Sequence, residues 1–245
     1  MGRVFISGSS DGLGLMAARL LIEQGHEVVL HGRNEDRSRD ALAAAAGARG
    51  VVSGDLSTIS GARTVADEVN KLGRFDAVIH NAGIGYREAR VETEPGVPSV
   101  FAVNVLAPYI LTALIESPKR LVYVSSGMHR GMRPRMDDLL WTKRPWSGPS
   151  AYAESKLCDV LLAFAIGDRF PRAVETECLA SAHAGSPWRR RWSSYRRRDC
   201  PCSGERVSTL LRDSFDRTPP RLIVPSQPGF RVLASPRLVR LLGNR

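Results

Sequence analysis

A tyrosine and a lysine lie four positions apart, Tyr152 and Lys156, in a segment whose apolar residues recur at helical spacing. Residues four apart share one face of a helix, so the lysine ammonium would lie close to the phenol. A phenol alone is a weak base near neutral pH, and a neighbouring positive charge favours its ionised form. The pair is therefore suited to general acid–base chemistry on a reacting oxygen.

Two polar residues earlier in the chain could act with this pair. Ser126 follows a predicted strand, and its hydroxyl could donate a hydrogen bond to a substrate oxygen. Asn104 lies inside a long and mostly apolar predicted helix. Taken singly, each of the four has an ordinary structural interpretation: a surface tyrosine, a solvated lysine, a turn serine, a satisfied helix asparagine. Taken together, in one order on one predicted sheet, they favour a catalytic arrangement.

Glycines at 8, 12 and 14 follow the first apolar segment and precede a helical pattern. Such glycines let the backbone turn sharply and approach a pyrophosphate, and the helix N-terminus supplies free N–H groups. A plain strand–helix turn is the alternative interpretation. Because the loop directly follows a strand at the start of the chain, the pattern favours dinucleotide binding.

Strand and helix patterns alternate through residue 166, which predicts an α/β fold. It would be a doubly wound, Rossmann-like parallel sheet between two helical layers, occupying residues 1–174, with an atypical C-terminal third. The predicted strands are Arg3–Ser7, Glu27–His31, Gly50–Ser53, Phe75–His80 and Arg120–Ser125, and Val174–Leu179 is the candidate for a sixth. The predicted helices are Leu13–Gln24, Asp36–Ala46, Ile59–Lys71, Val100–Ile115 and Ala151–Ala165.

The glycine spacing, Gly-x3-Gly-x-Gly, resembles that of the short-chain dehydrogenase/reductase family. Further motifs follow in the family's order over residues 4–166: Asp55-Leu56, Asn81-Ala82-Gly83 with His80 before it, Asn104, Ser126, and Tyr152-x3-Lys156. The resemblance implies that Asn104, Ser126, Tyr152 and Lys156 are catalytic. It also implies a cofactor site formed by Gly8, Ser10, Gly12, Leu13, Gly14, Arg33, Asp55, Leu56, Asn81, Ala82, Gly83, Tyr152 and Lys156.

The resemblance gives these residues particular roles. Asp55 would contact the adenine ring, Asn104 would support a proton-relay water, and Lys156 would also bind the nicotinamide ribose. The expected reaction is hydride transfer between NADP(H) and a carbonyl or secondary alcohol, with Tyr152 as general acid or base. The partner would be a small molecule, and a homodimer is expected through the Asn104 and Tyr152 helices.

The end of the second predicted strand bears on the choice of cofactor. Gly32 stands where an NAD-specific site places an acid, and Arg33 follows. A guanidinium can hold a phosphate by paired hydrogen bonds, so NADP(H) is favoured over NAD(H). Against this, Arg33 could be a solvated charge at a strand end, and Asp11 in the glycine loop weakens the attraction for phosphate.

The interval from Ser126 to Tyr152, 26 positions, resembles that of the family's longer, retinol-dehydrogenase-like members. The extra loop, 127–150, should pass over the substrate mouth, and Trp141 and Trp146 would either line an apolar pocket or anchor the loop. No apolar run reaches the roughly 18 residues of a membrane helix, so a cytoplasmic protein is expected. No cysteine spacing indicates a metal site.

Residues 167–245 differ from the rest of the chain in composition. They contain 16 arginines, no lysine and 7 acids, whereas residues 1–166 contain 19 basic and 18 acidic residues. Eight of the fifteen prolines lie in this part, and Ala182–Trp188 lacks the family's Pro-Gly turn and threonine. We therefore treat 175–245 as a divergent basic segment.

Two hypotheses explain the divergent segment. A reading-frame shift near codon 175 would produce arginine-rich sequence without apolar periodicity, in a tail that never evolved to pack. Alternatively, the tail is a basic arm for nucleic acid or acidic lipid, which we consider the weaker hypothesis because no binding-module pattern is present. If the substrate lid is missing, the chain would bind NADP(H) and be catalytically impaired.

Overall fold

The computed structural model describes residues 1–94, 96–133, 135–169 and 175–181. For Glu94, 167–169 and 175–181 it describes the backbone alone. Of the divergent segment predicted over 175–245, the part beyond Ser181 lies outside these residues, and both hypotheses about the segment stay predictions.

A six-stranded parallel sheet forms the centre of the described fold, with strand order β3-β2-β1-β4-β7-β8. Its strands are β1 (Arg3–Ile6), β2 (Glu27–Gly32), β3 (Gly50–Ser53), β4 (Ala77–His80), β7 (Arg120–Ser126) and β8 (Glu175–Ser181). A small antiparallel pair, β5 (Glu92–Glu94) and β6 (Val97–Pro98), stands apart from the sheet. The predicted α/β fold with a parallel, Rossmann-like sheet is confirmed.

Helices flank this sheet: α1 (Gly12–Glu23), α2 (Glu35–Ala44), α3 (Ile59–Lys71), α4 (Ser99–Phe101), α5 (Ala107–Leu114) and α6 (Gly148–Arg169). Side chains cap three of them, since Asn34 accepts from the Arg37 amide, Thr58 from the Gly61 amide and Ser147 from the Ser150 amide. Gly25 and Gly73 follow α1 and α3 with φ of 83° and 84°, the left-handed conformation that ends a helix. No helix in the described ranges combines the length and apolarity that crossing a membrane requires.

Long apolar runs in the strands reflect burial on both faces of the sheet. Val28, Leu30 and Ile6 pack with Ala18 of α1 and Ala41 of α2 in one cluster. Phe5 and Val78 are also almost fully buried, at 0% and 1% exposure. This core fixes the carboxyl ends of β1, β2 and β4, where the loops of interest begin.

Helix α4 continues into α5 through a π-helical segment, Ala102–Leu106. The sequence predicts one helix over Val100–Ile115 but gives no sign of this wider turn, which contains Asn104. A π-helical turn inside an α-helix is rare and occurs frequently at functional sites. The other predicted bounds agree within a few residues, and β3 and α3 agree at both ends. The candidate sixth strand is present as β8, which extends past the compositional boundary at 174.

Candidate active site

The sheet reverses its strand order beside β1, with β2 on one side and β4 on the other. In open α/β sheets, ligands bind outside the carboxyl ends of the strands at such a reversal. The glycine loop follows β1 here, and Asn81-Ala82-Gly83 follows β4. The sequence-predicted cofactor residues therefore meet at one edge of the sheet.

Close packing requires two of the three loop glycines. A Cβ atom on Gly8, whose φ is 62°, would lie 2.6 Å from Ala82 Cα. A Cβ atom on Gly14 would lie 2.3 Å from the Gly8 carbonyl oxygen and 2.4 Å from Asn81 Nδ2. Gly12 differs, because its φ of 52° favours glycine while nothing lies within 4 Å of its Cβ position. The loop is packed on its inner side and open at Gly12.

Asn81 fastens the glycine loop to β4. Its Nδ2 donates to the Gly8 carbonyl at 2.7 Å and to the Ser7 carbonyl at 3.2 Å. The Asn81 and Ala82 amides both donate to Ser7 Oγ at 3.1 Å. These contacts hold the backbone of the loop in place. The predicted site residues Ser10 and Leu13 lie on the same loop, both half-buried.

His31 on β2 also fastens the loop, a role that the sequence analysis missed. Its Nδ1 accepts from the Gly8 amide at 2.9 Å, so its Nε2–H donates to the Gly54 carbonyl, also at 2.9 Å. Burial lowers the pKa of this imidazole to about 4, and the ring is neutral at physiological pH. One histidine thus connects the loop after β1 to the loop after β3.

Asp55 and Leu56 lie on that second loop, directly after β3. The Asp55 carboxylate is exposed, and its Oδ1 accepts from the Ser57 amide at 2.8 Å, whereas Leu56 is buried. The loop geometry leaves the side chain of Asp55 at the surface of the same sheet edge. The contact of Asp55 with an adenine ring stays a prediction.

The turn after β2 carries positive charge. Arg33 is exposed, and Arg37 on α2 forms an ion pair with Asp11 of the glycine loop. Asp11 therefore does not present an uncompensated negative charge, which removes the sequence-based objection to a phosphate there. A Cβ atom on Gly32 would lie 2.5 Å from Ser38 Oγ and 2.6 Å from its amide nitrogen. A side chain does not fit at position 32 without a shift of the backbone at Ser38. The acid of an NAD-specific site therefore does not fit there either.

Asn104 occupies the π-helical segment and is fully buried. Its Oδ1 accepts from the Ile84 amide at 2.9 Å, and its Nδ2 donates to the Ile84 carbonyl at 3.1 Å. The same Nδ2 donates to Ser155 Oγ at 3.0 Å. The Asn104 amide therefore joins the loop after β4 to α6 at Ser155, the residue directly before Lys156.

Lys156 is buried where β4 and β7 end. Its Nζ donates to the Val124 carbonyl and to Asp159 Oδ2, both at 2.9 Å. A Cβ atom on Gly83 would lie 3.5 Å from this Nζ and 3.4 Å from Asn104 Oδ1. The structure therefore brings Gly83, Asn104 and Lys156 together, as the sequence predicts, and adds Asp159, which the sequence analysis did not single out.

Tyr152 lies one helical turn before Lys156 and is half-buried. Its ring meets that of Tyr86 edge to face, with centroids 6.1 Å apart. Ser126 ends β7 and is buried, and its Oγ accepts from the Met128 amide at 3.3 Å. The neighbouring Ser125 donates to the Lys156 carbonyl at 2.6 Å and ties α6 to β7. All four predicted catalytic residues thus lie around the ends of β4 and β7.

The tryptophans of the long loop anchor it to the fold. Trp141 is buried and packs on Val100 and Ala151, while Trp146 donates from Nε1 to the Glu88 carbonyl at 3.1 Å. The guanidinium of Arg144 stacks 3.6 Å from the Trp141 ring centroid. Arg144 also holds both carboxylate oxygens of Glu154 on α6, at 2.8 and 2.5 Å. These contacts support the anchoring interpretation and fix the loop beside Tyr152.

Asp159 and His31, which the sequence analysis did not single out, have only weak signals in the sequence. Asp159 follows Lys156 by three positions, which places a carboxylate on the same helix face. His31 is an ordinary-looking strand residue, and only the fold shows the two backbone groups that its ring joins. No grouping of three or more His, Cys, Asp or Glu side chains suited to a metal occurs in the described ranges.

Comparisons with known proteins bear on the family of this chain. The sequence profile of the family described as short chain dehydrogenase matches residues 3–127. An uncharacterized oxidoreductase of Emericella nidulans is 46% identical over 188 residues, covering 76% of this chain and 70% of that protein. The short-chain dehydrogenase chyC of Penicillium rubens is 42% identical over 188 residues, covering 76% and 71%.

A solved structure shows the same architecture. The crystal structure of an uncharacterized protein of Mycobacterium paratuberculosis superposes with a TM-score of 0.69 at 30% identity, covering 76% of this chain and 70% of that one. The chain therefore belongs to the short-chain dehydrogenase family, oxidoreductases that use a nicotinamide cofactor.

Proposed function

We propose that this chain transfers a hydride between NADP(H) and a carbonyl or secondary alcohol, with Tyr152 as general acid or base. The observation that carries the proposal is the position of Lys156. Its ammonium is buried at the ends of β4 and β7, one turn from Tyr152 and against Gly83 and Asn104. A fixed positive charge at this point can compensate negative charge that develops during the reaction and can bind ribose hydroxyls.

The residues at the sheet edge fit a dinucleotide. The packed glycine loop brings backbone close to the first turn of α1, and Asp11 at its N-cap makes no side-chain cap, so backbone N–H groups are left for a pyrophosphate. When bound, the cofactor supplies or accepts the hydride. The chain supplies the orientation and the proton.

Ser126, Tyr152 and Lys156 have different tasks in the proposed reduction. Ser126 donates a hydrogen bond to the carbonyl oxygen and polarises it. Tyr152 gives its phenolic proton to that oxygen as the carbon receives the hydride, and in oxidation it takes the proton back. Lys156 compensates the charge left on the phenolate. Tyr86, 42% exposed and edge-on to Tyr152, would form one wall of the substrate mouth, which suits an apolar substrate.

The turn after β2 supports NADP(H) over NAD(H). Arg33 is exposed there, Arg37 lies nearby, and Ser38 Oγ is buried with no hydrogen-bond partner among the described residues. The Arg33 guanidinium and the Ser38 hydroxyl suit a ribose 2′-phosphate, while Arg37 offsets the charge of Asp11. The crowding at Gly32 excludes the carboxylate that would instead bind the ribose hydroxyls.

Replacing Tyr152 by Phe tests the proposal. Turnover of a panel of ketones and aldehydes should fall about 10²–10⁴-fold, the usual contribution of a general acid. NADPH affinity, measured by fluorescence titration, should change little because the ring is retained. Tyr109→Phe is the matched control, since its hydroxyl on α5 is buried without a partner among the described residues and lies outside the proposed machinery.

The same titration tests the cofactor. NADPH should bind more tightly than NADH, and Arg33→Gln should weaken NADPH roughly tenfold while leaving NADH unchanged, because a phosphate contact is lost. NADPH binding without any turnover that depends on Tyr152 would contradict the enzymatic proposal. It would favour the alternative of a catalytically impaired cofactor-binding protein.

A further inference from the structure

Asp159 is a buried acid next to the reaction centre to which the proposed reaction assigns no task. Its carboxylate is 2% exposed and its Oδ2 lies 2.9 Å from Lys156 Nζ. Asp159 and Lys156 are three positions apart on α6, so the contact joins two side chains of one helix face. Burial raises the pKa of Asp159 to about 6, and the neighbouring ammonium opposes that rise.

A buried ammonium needs a counter-ion. Lys156 is only 5% exposed, and transfer of an isolated ammonium out of water strongly disfavours its charged form. The Val124 carbonyl offers a partial charge only. Among the described side chains, Asp159 supplies the carboxylate within ion-pair distance of this nitrogen.

The other titratable groups near Lys156 are either bonded to other partners or uncharged. Glu154, also on α6, is held by both arms of Arg144. The thiol of Cys158 stays neutral, because burial raises its pKa to about 12. The imidazole of His129, in the turn after β7, donates to the Ser126 carbonyl, and burial lowers its pKa. None of these three replaces the carboxylate of Asp159 as partner of Lys156.

The direction of the contact also matters. A lysine has three N–H donors, and two of them point to Val124 and Asp159. These bonds hold the nitrogen against Gly83, between the ends of β4 and β7. One donor is left for another partner at that point.

We propose that Asp159 is the positioning residue of Lys156: its carboxylate balances the ammonium and holds it one helical turn from Tyr152, with one N–H left for the cofactor. The inference rests on the proposed function, because it assigns a task within that reaction. It predicts that the charge of Asp159, and not only its volume, is needed for turnover.

The first test is Asp159→Asn, which keeps the shape and removes the charge. We expect kcat to fall at least tenfold while KM for the carbonyl substrate stays within about twofold, since Ser126 and Tyr152 are unchanged. Far-UV circular dichroism and the thermal midpoint should show a folded protein. Asp67→Asn, an exposed acid on α3, is the control and should have wild-type kcat. A folded Asp159→Asn protein with wild-type kcat would overturn the inference.

A second test does not depend on activity. Lys156→Met and Asp159→Leu should each lower the urea midpoint, because each leaves one charge buried without its partner. The double variant should recover much of that loss, as coupled residues do in a double-mutant cycle. Strictly additive losses would show that the pair is not coupled and would overturn the inference.

The two tests separate failure of this inference from failure of the proposed function. A wild-type chain without Tyr152-dependent turnover would overturn the proposed function and the positioning role with it. Turnover that depends on Tyr152 but not on Asp159 would overturn the positioning role alone.

Discussion

At the scale of single residues, the buried histidines show how a neutral side chain can hold two loops. His31 accepts from Gly8 on one ring nitrogen and donates to Gly54 from the other, which fixes its tautomer. His80 is also buried, and its Nε2 bonds Thr112 Oγ1, which in turn bonds the Tyr123 hydroxyl. Burial lowers the pKa of His80 to about 3. Protonating either ring would place a positive charge at a buried position.

This arrangement predicts a loss of stability in acid. The folded-state pKa of His31, about 4, lies below its unfolded value of 6.5. Between these values the unfolded chain binds more protons, so stability falls as pH falls. Between pH 7.5 and 4.5, His31 should account for a loss of roughly 2 kcal/mol in the free energy of unfolding.

The variant His31→Gln isolates this contribution. An amide can accept from Gly8 and donate to Gly54, yet it does not titrate in this range. Urea unfolding at pH 7.5, 5.5 and 4.5 should give a steeper decline for the wild type than for the variant. Parallel declines would show that His31 is not the group responsible. Other titrating groups are common to both proteins and cancel in the comparison.

At the scale of elements, the glycine loop depends on close packing more than on flexibility. Gly14→Ala would place a methyl group 2.3 Å from the Gly8 carbonyl. We expect a loss of about 1–3 kcal/mol in unfolding free energy from overpacking, and NADPH binding at least tenfold weaker because the loop must shift. Fluorescence titration and urea unfolding measure the two effects.

Gly50→Ala is the matched control for that substitution. Gly50 begins β3, has no positive φ, and nothing lies within 4 Å of its Cβ position. Its replacement should therefore leave both NADPH affinity and stability close to wild type. Equal effects of the two substitutions would contradict the role assigned to packing at Gly14.

The elements were predictable from sequence because a buried parallel sheet leaves a clear pattern. Apolar runs end at glycines or polar loops, and Ile59–Lys71 and Gly50–Ser53 could be delimited to the residue. The order of Tyr152, Lys156 and the glycines located the site, because parallel strands place their carboxyl ends together. The contacts of His31 could not be predicted, because they depend on where the chain folds back. The pairing of Asp159 with Lys156 is local, three positions apart on one helix, and could have been predicted from the spacing.

At the scale of the whole molecule, β8 bears on the hypothesis of a shifted reading frame. It pairs in register with β7 from Glu175 to Ser181, so the sequence through Ser181 follows the fold. Similarity to the Emericella protein covers 76% of this chain and 70% of that one, which leaves a part of each unmatched. On this hypothesis we expect the change of frame after Ser181, and the hypothesis itself stays a prediction.

The gene sequence tests that hypothesis directly. Translated from codon 182 onward in the two other frames, one frame should encode a Pro-Gly turn followed by a threonine, and then apolar strands. If neither frame does, the basic segment is the chain's own. Salt-dependent retention on DNA, lost on deleting 186–245, would then support the basic arm.

The π-helical turn has a consequence for how this protein tolerates changes in length. Such a turn holds one residue more than the α-helical turn it replaces. Removing one residue from Ala102–Leu106 would let an ordinary α-helical turn form and would leave the segments on either side close to their present phase. The buried Ile110 and Leu111 would keep facing the core, whereas Asn104 would lose the wide turn that sets its bonds to Ile84 and Ser155. The extra residue therefore serves the position of Asn104 and not the packing of the helix beyond it.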